Sequence, residues 1–576
     1  MLNTLKNGLA DVKGLRDHAL RHGVATPNRS IGPNGKRFGP RGVLFLRGLW
    51  IPWAVALPVF FSTAVWGQQP ASFPHPPVPN DLRQAADRKE DLVRSDPLRE
   101  PGARARFEAD VTRVLAAAYP DAKVTLTLYS TREGQDLFST REDEAFIPAS
   151  NLKLVTTYAG LTALSPDFKW ETRFDLVTVG QTPEGKNKHA LLVTGTGDPT
   201  VTYGDMEEIA TKLRLKGVRN LEGGIYYDDS FFDDKSYTRD WKESLGEQAW
   251  LAPISPFIFN NNTVSFFVSG RKTKKPQPKQ PLVAPAKKGP HMEITTQFRY
   301  VGQNPELIRI KQLAGGDGLA FDLSGQLPNR TWMYNVATAV KDPDVYYFTA
   351  LAQAMEEAGI HGNLRFQPWP GLNLPTKKIM VHSSIPLREV IVDINKHSNN
   401  LAAESLLRTM ASQTKTAGIS TEDGLNALRQ VMETEFPGFQ RDVVMKDGSG
   451  LDMENRVTSR FFVRLLNRVR EKPFQSEYLA SMSLAGWDGT LKPRHFPTRL
   501  WGNIRAKSGT LKGVKNLSGY LYAGGDVVVF SLMIKEDGRS VIKRERAQDS
   551  VMTALFDLLE EPRRSSTLEP AQAALP

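Results

Sequence analysis

The run Phe146-Ile147-Pro148-Ala149-Ser150-Asn151-Leu152-Lys153 decides the fold. Leu152, Leu154, Val155, Tyr158 and Leu161 follow at a spacing that gives one broad apolar face of a helix beginning at Ser150. Residues three apart on a helix are neighbours, so Lys153 lies over Ser150. A serine hydroxyl is a poor nucleophile until a base takes its proton. Lysine can do this only as the neutral amine, which desolvation or a second cation favours. Alone, Ser-x-x-Lys also describes an N-cap and a solvated lysine. The chain contains two further matches, Ser269-Gly270-Arg271-Lys272 and Ser412-Gln413-Thr414-Lys415. The first opens a basic, proline-rich stretch and the second fills a polar gap, so neither holds its lysine over its serine.

Two downstream elements single out Ser150. Ser398-Asn399-Asn400 falls between apolar-periodic segments at 387–397 and 401–407, read as two helices broken by a polar turn. There the Ser398 hydroxyl can relay a proton between base and leaving amine, and the Asn400 amide can hold Lys153 or a substrate carbonyl. His397 adjoins them, but no acidic partner for a Ser-His pair is indicated. Lys507-Ser508-Gly509-Thr510 follows Asn503-Ile504-Arg505-Ala506, where an extended edge is expected. Strands at 516–522 and 527–534 flank the turn Ala523-Gly524-Gly525-Asp526. Lys507 then projects into a cleft as the second cation. Gly509 lets backbone or ligand approach, and the Ser508 and Thr510 hydroxyls are placed to grip a carboxylate. The three elements in this order read as an acyl-serine enzyme.

With Thr194-Gly195-Thr196-Gly197-Asp198-Pro199-Thr200, Asp447-Gly448-Ser449-Gly450-Leu451, Gly486-Trp487-Asp488-Gly489-Thr490-Leu491 and Arg505-Ala506-Lys507-Ser508-Gly509-Thr510-Leu511, the pattern resembles a known group. This is the low-molecular-mass class C penicillin-binding proteins, D-alanyl-D-alanine carboxypeptidase/endopeptidases of the penicillin-binding protein 4 type. The resemblance covers about residues 104–560. It implies Ser150 as acylated nucleophile, Lys153 as base, Ser398 as proton shuttle, Asn400 as polar positioner and Lys507 as electrostatic support. Ser508, Gly509 and Thr510 would line the substrate site, with the backbone N–H groups of Ser150 and Thr510 as oxyanion hole. Ser508 stands where the family usually has threonine, and the hydroxyl survives. Asp452-Met453 stand where it often has Ser-Arg, so no arginine role carries over, although Arg456 is near.

Ser150 and Ser398 lie 248 residues apart, more than a compact catalytic domain needs between these elements. The class carries two extra domains there, one nested in the other. The expected fold is α/β (multi-domain α+β): a β-lactamase/transpeptidase-like domain, with an antiparallel sheet flanked by helices plus a helical lobe, and two inserted β-rich domains. Expected limits are 104–174 and 377–561 for the catalytic domain, 175–268 and 333–376 for the first insert, and 269–332 for the nested one. Within the insert, strands are expected at 170–179, 189–194 and 223–227, a helix at 206–216 and a return helix from about 342 to 359. The lysine- and proline-rich run 271–290 reads as a solvated loop at the entry to the nested domain.

Residues 1–47 hold nine Lys/Arg against two Asp/Glu, so +7 of the formal +11 sits there. The remainder is too weakly basic for a nucleic-acid enzyme. The apolar stretch 48–65 makes residues 1–67 an export signal, with an uncleaved membrane anchor as the alternative. Residues 68–103 read as a proline-rich tether and 562–576 as a disordered tail. Zero cysteines exclude disulfides and thiol chemistry. No zinc helix or phosphate loop is found, so no cofactor or metal is expected. The expected protein is periplasmic, cleaves D-Ala-D-Ala stem peptides of peptidoglycan and is acylated by β-lactams. A β-lactamase-like hydrolase and a non-catalytic peptidoglycan-binding scaffold are the alternatives.

Overall fold

A glycine pair and long apolar runs build the largest sheet. Strands Val514–Ala523 and Asp526–Lys535 turn at Gly524-Gly525, both at positive φ, where a side chain would strain the backbone. The six-stranded antiparallel sheet has the order Ser483–Leu484, Ile504–Leu511, Val514–Ala523, Asp526–Lys535, Lys123–Ser130, Gln135–Thr140. Its central strands are buried almost throughout, because both faces are covered. Leu517, Leu521, Val528, Phe530 and Leu532 point to a core shared with helices Ala103–Ala118 and Val541–Ser566. Tyr520, Val529 and Met533 point the other way, into the helical lobe.

The computed structural model describes residues 102–233, 248–270, 281–301, 307–313, 319–328, 332–538 and 540–566. These residues belong to one compact unit. The expected signal segment, nearly all of the tether and residues 271–280 of the basic run lie outside them. Among the described residues, no helix is long and apolar enough to cross a membrane.

Helix Lys153–Leu164 runs through the lobe, packed among Leu387–Lys396, Asn400–Met410 and Thr421–Glu435, with Ser459–Val469 joining the same core from the sheet side. Its apolar residues are buried all round rather than along one face, and each fully buried leucine or valine contributes about 2 kcal/mol. The helix begins at Lys153, not at Ser150. A 3-10 turn, Ala149–Leu152, precedes it, and no side-chain cap forms at the junction.

Between Ser150 and Ser398 the chain forms a mixed five-stranded sheet, in the order Phe366–Pro368, Ile225–Asp228, Asn187–Thr194, Glu171–Gln181, Thr376–Ser383. Helices Tyr203–Leu215 and Pro343–Glu357 contribute to its core. The return helix starts where Asp342 accepts a hydrogen bond from the Val345 N–H, with Pro343 in its first turn. Two three-stranded sheets lie between Thr263 and Ala339, the strands of one flanking those of the other along the chain. One comprises Leu307–Gln312, Leu319–Pro328 and Met292–Val301, the other Trp332–Ala339, Thr263–Gly270 and Leu282–Pro285. Phe266 and Phe321, with ring centroids 5.5 Å apart, join them.

Three observations bear on where the expected limits fall. Glu171–Gln181 and Thr376–Ser383 pair as neighbours, so the insert sheet extends past both 175 and 376. Thr263–Gly270 and Trp332–Ala339 likewise pair across the limits set at 269 and 332. The last helix continues through Pro562 to Ser566, into the segment expected to be a disordered tail.

Candidate active site

Three pieces of chain meet at the end of helix Lys153–Leu164, and their side chains and glycines fit them together. The turn carrying Ser150 is pinned to the sheet: Asn151 Nδ2 donates to Ser518 Oγ at 2.8 Å, and Asn516 Nδ2 donates to the carbonyls of Ile147 and Pro148 at 2.9 and 2.8 Å. A Cβ on Gly509 would lie 2.7 Å from the Pro148 carbonyl oxygen, so the strand can approach the turn only with glycine there. Gly450 plays the same part on the other side. Its φ is +87°, and a Cβ would lie 2.0 Å from the Ala149 carbonyl oxygen. Ala149 and Ser398 are themselves left-handed, with φ of 48° and 60°. Such strain costs about 1–3 kcal/mol per residue and persists where surrounding contacts enforce it.

Within this frame Lys153 Nζ lies 3.1 Å from Ser150 Oγ, 2.6 Å from Asn400 Oδ1 and 2.6 Å from the Ser449 carbonyl oxygen. Lys153 is completely buried, and burial brings its amine down to about 7, against the pull of the Asp447 and Glu404 carboxylates. Glu404 is itself pushed up by burial and by Asp447, while it accepts the N–H groups of Gly448 and Ser449. The carbonyl facing Lys153 is thereby fixed. The Asn400 amide is oriented from its other end, where Nδ2 donates to the Trp250 carbonyl at 2.8 Å.

Lys507 Nζ donates to Ser398 Oγ at 3.0 Å and to the Ser508 carbonyl at 2.8 Å. Its amine is lowered well below the usual lysine range by burial and by the Lys153 and Lys515 charges. Ser508 Oγ donates to Thr490 Oγ1 at 2.8 Å, and Thr510 is exposed. On the outer edge of strand Ile504–Leu511, pairing with Ser483–Leu484 ends at Ala506. The edge at Lys507 to Thr510 therefore has no strand partner among the described residues.

Ser150, Lys153 and Asn400 thus meet directly, as do Ser398 and Lys507, while Ser508, Gly509 and Thr510 line the adjoining strand. His397 faces solvent and does have an acidic partner, Asp393, at 2.9 Å. Their spacing of four on a helix would have revealed it. Arg456 donates to the Met453 and Asn455 carbonyls. Of the two other Ser-x-x-Lys matches, Ser269 lies in a strand and Lys415 pairs with Asp423 at 2.7 Å. Sequence reasoning missed Asp447, Glu404, Asn151, Asn516 and Thr490. Asn151, Asp447 and Thr490 stand inside the stretches quoted above and needed only a role.

A serine paired with a buried lysine at the start of a lobe helix, in a turn pinned to an antiparallel sheet, defines a serine acyl-transfer enzyme. The model of the D-Ala-D-Ala carboxypeptidase 3 (S13) family matches residues 108–555, and the chain belongs to that family of serine peptidases. D-alanyl-D-alanine carboxypeptidase from Actinomadura sp. (strain R39) is 27% identical over 447 residues, covering 75% of this chain and 81% of that protein. D-alanyl-D-alanine carboxypeptidase DacB from Haemophilus influenzae is 25% identical over 391 residues, covering 67% and 79%. The crystal structure of penicillin binding protein 4 from Haemophilus influenzae shares the fold. It has a TM-score of 0.66 and 21% identity, and the match covers 78% of this chain and 99% of that one.

Proposed function

We propose that Ser150 is the nucleophile of a D-Ala-D-Ala carboxypeptidase/endopeptidase, acylated by peptidoglycan stem peptides and by β-lactams. The observation that carries this reading is the 3.1 Å contact between Ser150 and a fully buried lysine whose amine is brought to about 7. A neutral Lys153 keeps Asn400 Oδ1 and the Ser449 carbonyl as acceptors and takes the Ser150 proton on its lone pair. Two buried lysines repel each other, so the first proton leaves the pair readily. A substrate carboxylate at Ser508 and Thr510 favours charge on Lys507 and leaves Lys153 as the base.

The peptide lies along the unpaired edge beyond Ala506, extending the sheet. Ser150 Oγ attacks the carbonyl before the terminal D-alanine, and the oxyanion rests on the backbone N–H groups of Ser150 and Thr510. Ser398, held by Lys507, relays the proton that Lys153 has taken to the departing amine, its own hydroxyl being restored in the transfer, and water then releases the acyl chain. A cross-linking D-centre amine as leaving group makes the same steps an endopeptidase reaction. A β-lactam keeps its leaving group tethered and stays on Ser150. A solved structure of the Haemophilus influenzae protein 4 in complex with a β-lactam supports this ligand class.

We further assign 171–383 to the insert and 263–339 to its nested part, on the strand pairing. Residues 1–67 act as an export signal to the periplasm, with membrane attachment through 48–65 the alternative. Mass spectrometry after penicillin treatment tests the central reading: an adduct on the protein that is absent from Ser150→Ala, together with D-alanine release from a D-Ala-D-Ala pentapeptide. An undiminished adduct in the variant removes Ser150 from the role.

A further inference from the structure

Lys515 is a lysine that this reaction scheme does not use. It is the cross-strand partner of Thr510, and its side chain is only 4% exposed. Its Nζ donates to Thr510 Oγ1 at 3.1 Å and to Glu545 Oε2 at 2.6 Å, the latter on helix Val541–Ser566, which packs against the sheet. Arg494 and Asp549 complete the charged surroundings, paired with each other at 2.7 Å.

An ammonium group has hydrogens and no lone pair, so toward Lys515 the Thr510 hydroxyl can only accept. Its own hydrogen is left to point elsewhere, and Thr510 is exposed on the strand whose outer edge is unpaired beyond Ala506. The neighbouring Ser508 hydroxyl spends its hydrogen on Thr490. Of the two hydroxyls, Thr510 is therefore the one set to donate to an incoming anion. Glu545 balances the ammonium from the far side, which leaves the positive end of the pair toward Thr510. A hydrogen bond made to an ionised acceptor is also stronger than a neutral one.

We propose that Lys515 is a positioning and specificity-determining residue: it turns the Thr510 hydroxyl outward as a donor and so selects substrates that end in a free carboxylate. This rests on the carboxypeptidase reading above. Thr510 is the residue that touches the substrate, and Lys515 acts through it.

The test compares a peptide ending in D-Ala-D-Ala with the same peptide ending in D-alaninamide, and reads kcat/KM for each. Lys515→Met is expected to lose about tenfold on the carboxylate and to change less than about twofold on the amide, with a thermal melt confirming that it folds. Thr510→Val should lose the same preference. Because the two act as a unit, Lys515→Met added to Thr510→Val should lower the preference no further. Glu545→Gln keeps an acceptor for Lys515 while removing the counter-charge, and should hold or raise the preference. Equal losses on both substrates, a Thr510→Val protein that keeps its preference, or a fall in Glu545→Gln overturns the inference and leaves the carboxypeptidase reading standing. Absence of D-alanine release and of a penicillin adduct in the unsubstituted protein overturns that reading and this inference with it.

Discussion

Lys153 is surrounded by three acceptors, and only as an uncharged amine can it keep two of them and receive a proton from the third. Burial lowers its amine to about 7, so the competent form gains population as pH rises through that value and is lost below it. Penicillin acylation at subsaturating concentration should therefore climb with pH on a limb centred near 7 and level off above it. A rate that stays flat from about pH 5 to 9 would remove Lys153 as the base. Lys153→Arg keeps a cation that does not deprotonate, and its acylation rate should drop more than about 100-fold with the limb gone. These residues were readable in the sequence because each is a side chain in a spaced motif. The group that orients Asn400 was not, since a main-chain carbonyl such as that of Trp250 leaves no mark on residue identity.

At the scale of elements, two glycines set how closely the loops can converge. The Gly-Gly hairpin, the return helix with its Asp-Pro start and the pair of helices around Ser398 were all readable, because their signals are local. The 3-10 turn under Ser150 was not: its apolar spacing matches that of the α-helix it leads into, and only contacts to Asn516 and Ser518 distinguish the two. Gly450→Ala would put a Cβ against the Ala149 carbonyl at a φ of +87°. We expect it to destabilise the protein by more than about 1 kcal/mol and to slow acylation as the Ser150 turn is pushed from Lys153. Urea unfolding and penicillin labelling report the two effects separately. A variant as stable and as reactive as the parent would show that the Asp447–Leu451 loop does not hold Ser150 in place.

Across the whole molecule, the region between Ser150 and Ser398 returns to the serine–lysine site, which the length of that interval alone did not indicate. It braces helix Asn400–Met410 and the turn before it at successive points. Trp250 holds Asn400, Asn261 accepts from Asn399 at 3.0 Å, the Gly197 carbonyl accepts from Ser405 at 2.5 Å, and Asp233 pairs with Arg408 at 2.8 Å. Arg408 is 1% exposed and also lies over the Phe232 ring, so its counter-ion matters more than at a surface pair. Asp233→Ala takes away that counter-charge and should cost about 3 kcal/mol. If the brace also sets the active site, the same variant should acylate about tenfold more slowly under conditions where it is fully folded, because a helix free to shift at Arg408 carries Asn400 with it and loosens the hold on Lys153. Stability lost with an unchanged acylation rate would mean that these contacts support the fold alone.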